Sequence, residues 1–235
     1  MATSSAAGLL TSVDNMFTTQ EERDNAGRTF LIDLNPAEIS DFPNHPFQVR
    51  MDEEMERLVE SVKERGVLSP VLVRPMPDGS YQMVSGHRRK RAAELAEQPT
   101  LSCIVRELTD DEAIIILVDS NLQREKVLPS EKAFAYRMKL DAMKRQGQRT
   151  DLTSSPLDNK LKGITAAQQI SKDSGDSQPQ IYRYIRLTEL VPEILQMVDE
   201  RQIAFRPAVE LSYLTEGQQY TLLEAIEYND ATPSL

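Results

Sequence analysis

Residues 165–187 read TAAQQISKDSGDSQPQIYRYIRL, and the spacing inside this stretch decides the architecture of the second half of the chain. Thr165 stands three residues before Gln168, and Ser177 three before Gln180. Each pair has the form of a capping box, in which a hydroxyl and an amide satisfy free amides at a helix start. Ala167 and Ile170 give the first helix a short apolar face, and Ser174-Gly175-Asp176 then makes a tight polar turn. In the second helix Ile181, Ile185 and Leu187 face inward, which leaves Gln178, Gln180, Tyr182, Arg183 and Arg186 outside. A short support helix, a Gly-containing turn and a polar second helix form the helix-turn-helix arrangement. Glutamines on such a helix can read base edges, while arginines and free amides meet phosphates. Two ordinary core helices share the same periodicity, so the pattern defines an architecture before it defines a ligand.

Outward from this motif the charge is uneven. Residues 124–162 carry ten Lys or Arg against five Asp or Glu, and residues 163–235 carry five against eleven. The basic interval directly before the motif is thus a candidate aid to phosphate contact. The polar string QGQRTDLTSSPLDNKLKG, residues 146–163, reads as a linker or long loop. Before it, Thr109-Asp110-Asp111-Glu112 is another capping box, and a further helix starts at Pro129 and runs through Tyr136, Leu140 and Met143. Residues 109–145 are therefore connecting helices. Residues 164–228 hold the helix-turn-helix and the helices that support it, and 229–235 form a tail.

Residues 29–108 read as a small α+β module. Thr29–Leu34, Val71–Arg74, Tyr81–Val84 and Leu101–Val105 are strand-like, and Asp78-Gly79 is a strong hairpin signal. Met55, Leu58, Val59 and Val62 mark one face of a helix that Gly66 closes, and His87–Leu95 forms another. Residues 1–28 are rich in Ala, Ser, Thr, Asn and Asp and read as a flexible tail.

Composition narrows the chemistry. The 235 residues carry a net charge of −10, which argues against a protein that coats nucleic acid indiscriminately. One cysteine and two histidines are too few for a structural zinc site or an iron–sulfur cluster, and no haem is expected. Cys103 lies on a strand and reads as a core thiol. No run is apolar and long enough for a membrane span or an export signal, so a cytoplasmic location is expected.

The sharpest local pattern is Ser85-Gly86-His87-Arg88-Arg89-Lys90-Arg91. A glycine between strand and helix lets the backbone approach a ligand, the first helix amides are free, and guanidiniums fork onto phosphate oxygens. Basic charge at a helix start opposes the dipole, and an anionic ligand offsets that cost. A solvated basic helix start is the plainer alternative. A second string, Ser120-Asn121-Leu122-Gln123-Arg124, offers an amide and a guanidinium at a helix end. The preceding Asp119 contributes a single carboxylate, a poor magnesium site on its own.

In their order along the chain these motifs resemble the ParB/Spo0J family of partition proteins, including members from plasmids and mobile elements. The resemblance rests on His45-Pro46-Phe47-Gln48-Val49-Arg50, on Gly66-Val67-Leu68-Ser69-Pro70-Val71-Leu72-Val73-Arg74, on Gly86-His87-Arg88-Arg89, on Ser120-Asn121-Leu122-Gln123-Arg124 and on the helix-turn-helix. It implies a ParB/sulfiredoxin-like α+β amino-terminal module followed by an all-α helix-turn-helix DNA-binding module. It further implies CTP with Mg2+ as cofactors. Val67, Leu68 and Pro70 would line the nucleotide pocket; Gly86, His87, Arg88 and Arg89 would surround its phosphates, with Asn121 and Arg124 nearby and Asn121 as the weak metal contact. DNA contacts would fall on Thr165, Ser177, Gln178, Gln180, Tyr182, Arg183 and Arg186.

His87 and Ser120 stand where that family carries glutamates, so the resemblance implies CTP binding with weak or absent turnover. The implied function is recognition of a palindromic double-stranded DNA site in partition or mobile-element maintenance, at the nucleoid or a plasmid, with self-association and a ParA-like ATPase as partners. A transcriptional regulator or nucleoid-occlusion factor would use the same architecture. A nucleotide-dependent enzyme of the sulfiredoxin-like fold is a third alternative, although no cysteine stands in Gly86-His87-Arg88. The family's usual dimerisation module beyond the helix-turn-helix has no counterpart in these 235 residues.

Overall fold

The computed structural model describes residues 30–124, 126–153 and 165–229. The expected tail over 1–28, residues 154–163 of the expected loop and residues 230–235 lie outside them. The chain divides into two compact units: residues up to Ser40 with Val59–Glu107, and Asp41–Leu58 with the residues from Leu108 onward.

The first unit is built on a five-stranded mixed sheet. Its strands are β1 (Phe30–Leu34), β2 (Ile39–Ser40), β3 (Val71–Pro75), β4 (Tyr81–Ser85) and β5 (Leu101–Val105), in the order β1-β5-β3-β4-β2. β1 and β5 are antiparallel, as are β3 and β4, whereas β3 runs parallel to β5 and β2 parallel to β4. The hairpin between β3 and β4 turns at Asp78-Gly79, where Met76 N donates to Ser80 O and Gly79 N to Met76 O. Helix α1 (Glu53–Arg65) crosses the division between the units, and α2 (His87–Leu95) supplies the crossover from β4 to β5 that parallel pairing requires. Ile39, Val71, Val73, Met83, Leu101 and Cys103 meet Ala93 of α2 in the core. Burial pushes the Cys103 thiol up to about 11, as does nearby Asp33, so it stays protonated and inert.

The second unit is helical: α3 (Asp110–Leu122), α4 (Pro129–Thr153), α5 (Ala166–Ser174), α6 (Gln178–Arg186), α7 (Pro192–Asp199), α8 (Phe205–Leu211) and α9 (Glu216–Asn229). The capping boxes at Thr109 and Thr165 both close with their reciprocal bonds. Two findings depart from the sequence reading. Residues 146–153, assigned there to a loop, continue α4 to Thr153. Gln and Arg are good helix formers and Gly147 costs only about 1 kcal/mol, so polar composition does not stop a helix. In addition, α3 and α4 are part of the same unit as the helix-turn-helix rather than a separate connector, and Asp41–Leu58 join that unit too.

The reason is the packing of α4. Tyr136 and Leu140 pack with Ala167, Ile170 and Ile181, while Ala133 joins a second cluster of Leu187, Ile194, Val198, Ile203, Ala208 and Ile226. Its polar side chains act the same way. Lys132 and the Tyr136 hydroxyl bond Asp176, Arg137 bonds Thr188 and Glu189, Arg145 bonds the buried Asp111, and Ser130 bonds Asp199 of α7. Replacing Thr165 with Ala removes the cap of α5 and should lower the unit's stability by about 1 kcal/mol. Urea denaturation should register this as a lower midpoint at unchanged slope.

Candidate nucleotide and nucleic-acid sites

In the first unit the phosphate-binding candidates gather around two backbone features. Gly86 occupies the cap position before α2 with φ +111°, a conformation that suits glycine. A Cβ built there would lie 2.7 Å from Val71 Cγ1, so the position has no room for a side chain. Lys90 N donates to Gly86 O, and the amides of His87, Arg88 and Arg89 precede the intrahelical ladder. The second feature is the loop 66–70. Val67 leans on the sheet core, Leu68 is 78% exposed and Pro70 is half-buried.

The basic run does not present itself as one patch. Arg89 Nη1 donates to Ser69 O and Pro70 O, each at 2.7 Å, and so braces the loop. Lys90 is buried with Nζ on Ile39 O at 2.7 Å, and Arg91 pairs with Glu94 at 3.0 Å. His87 is buried and Arg88 half-buried at the start of α2. The sequence shows four adjacent cations, Arg88 to Arg91, but not these local partners. Gly86→Ala should cost about 1–3 kcal/mol through backbone strain, with the Val71 clash adding to it. Differential scanning calorimetry of the purified chain measures the loss.

In the second unit Asn121 is 3% exposed. Its Nδ2 donates to Leu117 O at 2.7 Å, while the buried Oδ1 has no hydrogen-bond partner among the described residues. A buried carbonyl-type oxygen without a donor is uncommon, and it suits either a donor on a ligand or a hard cation. The Arg124 guanidinium lies 5.8 Å from the centroid of the Phe47 ring. Ser120 turns its hydroxyl back onto Leu117 O at 3.0 Å. Asp119 is taken by Lys139 at 2.6 Å. No group of three His, Cys, Asp or Glu side chains suited to a metal comes together among the described residues.

The helix-turn-helix forms as its spacing requires. Gly175 takes φ +77° at the turn, and its N–H donates to Ser171 O. Thr165 and Ser177 spend their hydroxyl oxygens on Gln168 N and Gln180 N, so both serve as caps here. Tyr182 and Arg183 are exposed on α6, with Gln178 and Gln180 half-buried at its start. Arg186 departs from expectation. Its guanidinium bonds Ser212 Oγ at 3.2 Å and Ser212 O, and it stacks on Tyr213 at 4.3 Å. With Tyr213 it also lines a cavity of about 530 Å3 that Glu189, Glu216 and Gln219 share. It therefore fastens α6 to the end of α8 instead of standing outside.

A second correction concerns the basic interval before the motif. Lys132, Arg137, Lys139 and Arg145 all pair with acidic side chains of the same unit. These four of the interval's ten cations are engaged internally, and Arg183 on α6 is an exposed candidate for phosphate contact. Arg183→Ala should accordingly lower the slope of log affinity against log salt by about 1. Arg186→Ala should leave that slope unchanged and lower the melting temperature, because its guanidinium is already occupied; anisotropy titrations over a salt series compare the two.

Comparison with known proteins agrees with both halves of this architecture. The ParB N-terminal domain matches residues 19–122 and the ParB HTH domain matches residues 160–232. The chain belongs to the ParB/Spo0J family of partition proteins. It is 30% identical over 198 residues to the chromosome-partitioning protein Spo0J of Thermus thermophilus, a match over 84% of this chain and 65% of that one. It is 34% identical over 191 residues to a nucleoid occlusion protein of Listeria innocua, covering 80% of this chain and 60% of the relative. The chain thus spans less than two thirds of the length of either relative. A solved Pnob8-like ParB-N domain shares the fold with a TM-score of 0.51 at 13% identity, over 86% of this chain and 84% of that one.

Proposed function

We propose that this protein recognises a palindromic DNA site in partition or mobile-element maintenance, and that binding of CTP with Mg2+ regulates it. The observation that carries DNA recognition is the outward face of α6. Gln178 and Gln180 sit at the helix start, where side chains reach base edges, and the exposed Arg183 follows within one turn. Sequencing of DNA recovered with the chain from cells tests this and supplies the site; recovery of no enriched palindrome would reject it. Self-association fits the two-fold symmetry of such a site, and a ParA-like ATPase is the partner that partition requires.

For the nucleotide, the 66–70 loop and the start of α2 would meet base and phosphates, with Gly86 giving the close backbone approach and Arg88 the charge. Asn121 Oδ1, in the second unit, has by itself the chemistry to accept from a donor or to meet a hard cation. When bound, the magnesium ion screens phosphate charge; the chain's own groups hold and orient the triphosphate. Calorimetry should find CTP binding that weakens in Arg88→Ala.

Turnover should be slow or absent. His87 is buried, Ser120 bonds its own helix, and the Asp119 carboxylate is engaged by Lys139, so a carboxylate to complete the metal site is missing from both boxes. Phosphate release in the presence of CTP, Mg2+ and the recovered DNA measures this. Release that approaches glutamate-containing relatives and disappears in Arg88→Ala would contradict it.

A nucleoid-occlusion role is the second reading, favoured by the 34% identity to the Listeria innocua protein. The positions of the recovered DNA sites separate the two: a cluster near one replication origin or on a plasmid supports partition, and sites spread along the chromosome support occlusion.

A further inference from the structure

Asp176 lies between Gly175 of the turn and Ser177, the cap of α6. An aspartate at a helix start ordinarily caps the helix or meets its dipole. Here Ser177 is the cap, and the Asp176 carboxylate is turned back to α4. Its Oδ2 accepts from the Tyr136 hydroxyl at 2.5 Å and from Lys132 Nζ at 3.1 Å. Tyr136 is buried, and burial together with its bond to Asp176 pushes the hydroxyl pKa up, so it stays a donor. The same two side chains meet α6 a second time. The Lys132 ammonium lies 5.2 Å from the centroid of the Tyr184 ring, and the Tyr136 and Tyr184 rings are 5.8 Å apart. Lys132 and Tyr136, neighbours on successive turns of α4, therefore hold α6 at two points: the residue before its cap and a ring about two turns further on. Between these points the fully buried Ile181 supplies an apolar anchor. Apolar burial has no direction, and on its own it would let α6 roll about its axis. The directed bond to Asp176 removes that freedom.

We infer that the Tyr136–Asp176 bond, braced by Lys132, is a positioning contact that fixes the rotation of α6 and so determines its discrimination among DNA sequences. This rests on the DNA reading above, in which Gln178, Gln180 and Arg183 meet the duplex. Hydrogen bonds to base edges weaken steeply when their angle departs from linear, so a roll of α6 that misaligns the glutamine amides weakens them. A phosphate contact is less exacting, because a long arginine side chain can follow the backbone and the charge attraction carries no sequence information. Loss of the bond therefore costs discrimination before it costs affinity for DNA at large.

The test compares, at one salt concentration, anisotropy titrations of the full chain with the duplex recovered from cells and with a shuffled duplex of the same length. In Tyr136→Phe and in Asp176→Ala the ratio of the two affinities should fall by about fivefold or more, the low end of one lost base contact, while affinity for the shuffled duplex stays within about twofold of wild type. Tyr136→Phe keeps the packed ring and Asp176 is half-buried on the turn, so thermal melts should find both variants folded at the assay temperature. Asp176→Asn keeps an acceptor for both donors and should hold the wild-type ratio within about twofold. The double variant Tyr136→Phe with Asp176→Ala should lose no more than either single one, because both remove the same bond. A purely structural role would weaken binding to both duplexes alike and leave their ratio intact. An unchanged ratio in both single variants overturns the inference alone, as do equal losses on the two duplexes or a loss in Asp176→Asn as large as in Asp176→Ala. A wild type that does not distinguish the duplexes overturns the DNA reading and this inference together.

Discussion

A lysine ammonium sealed from water must be met by acidic groups, and that requirement organises the helical unit. Lys139 cannot be dehydrated alone at acceptable cost, and α3 and α5 each bring an aspartate to the same point on α4. Once they do, the apolar faces follow in register. Leu140 and Tyr136 meet Ile170 and Ile181, and the outward side of α6 is settled by what its inward side has already buried. The acid–base pairs along α4 are partners in this placement more than sources of net stability, since pairs with one exposed member contribute little on their own.

The same pairs bear on how a chain of charge −10 would present the specific nucleic-acid surface proposed above. A large free basic field would bind any duplex. The internal pairing of Lys132, Arg137, Lys139 and Arg145 reduces that field, and under the proposed recognition the exposed groups of α6 would carry more of the discrimination. The first unit follows a similar economy: Arg89, Lys90 and Arg91 of α2 are drawn toward a loop, a strand carbonyl and a glutamate.

Much of the fold could be read from the sequence because it depends on short-range chemistry. Thr165 with Gln168, Thr109 with Glu112 and the Asp78-Gly79 turn each act within a few residues, and all three form as their spacing indicates. Gly86 likewise falls at a helix start and Asn121 at a helix end, as the local pattern indicates. The errors lie in long-range pairing. Arg186 meets Ser212 and Tyr213 across 26 and 27 positions, and Lys139 meets Asp119 and Asp173 across 20 and 34, none of which periodicity reveals. The extension of α4 to Thr153 was missed for another reason: a polar helix and a polar loop share composition, and only the backbone distinguishes them.

The arrangement of β1 has a consequence for how the molecule is made. Among the described residues this edge strand pairs with β5 alone, Phe30 opposite Val105, so an early-translated segment waits for a partner some 75 residues later. β3 likewise reaches β5 only through the α2 crossover. Such distant contacts close slowly, whereas the helical hairpins that follow rely on neighbours in the chain and assemble quickly. Until residue 105 has left the ribosome the nascent chain must carry β1 and β3 with open edges, which makes the interval before β5 its most aggregation-prone moment.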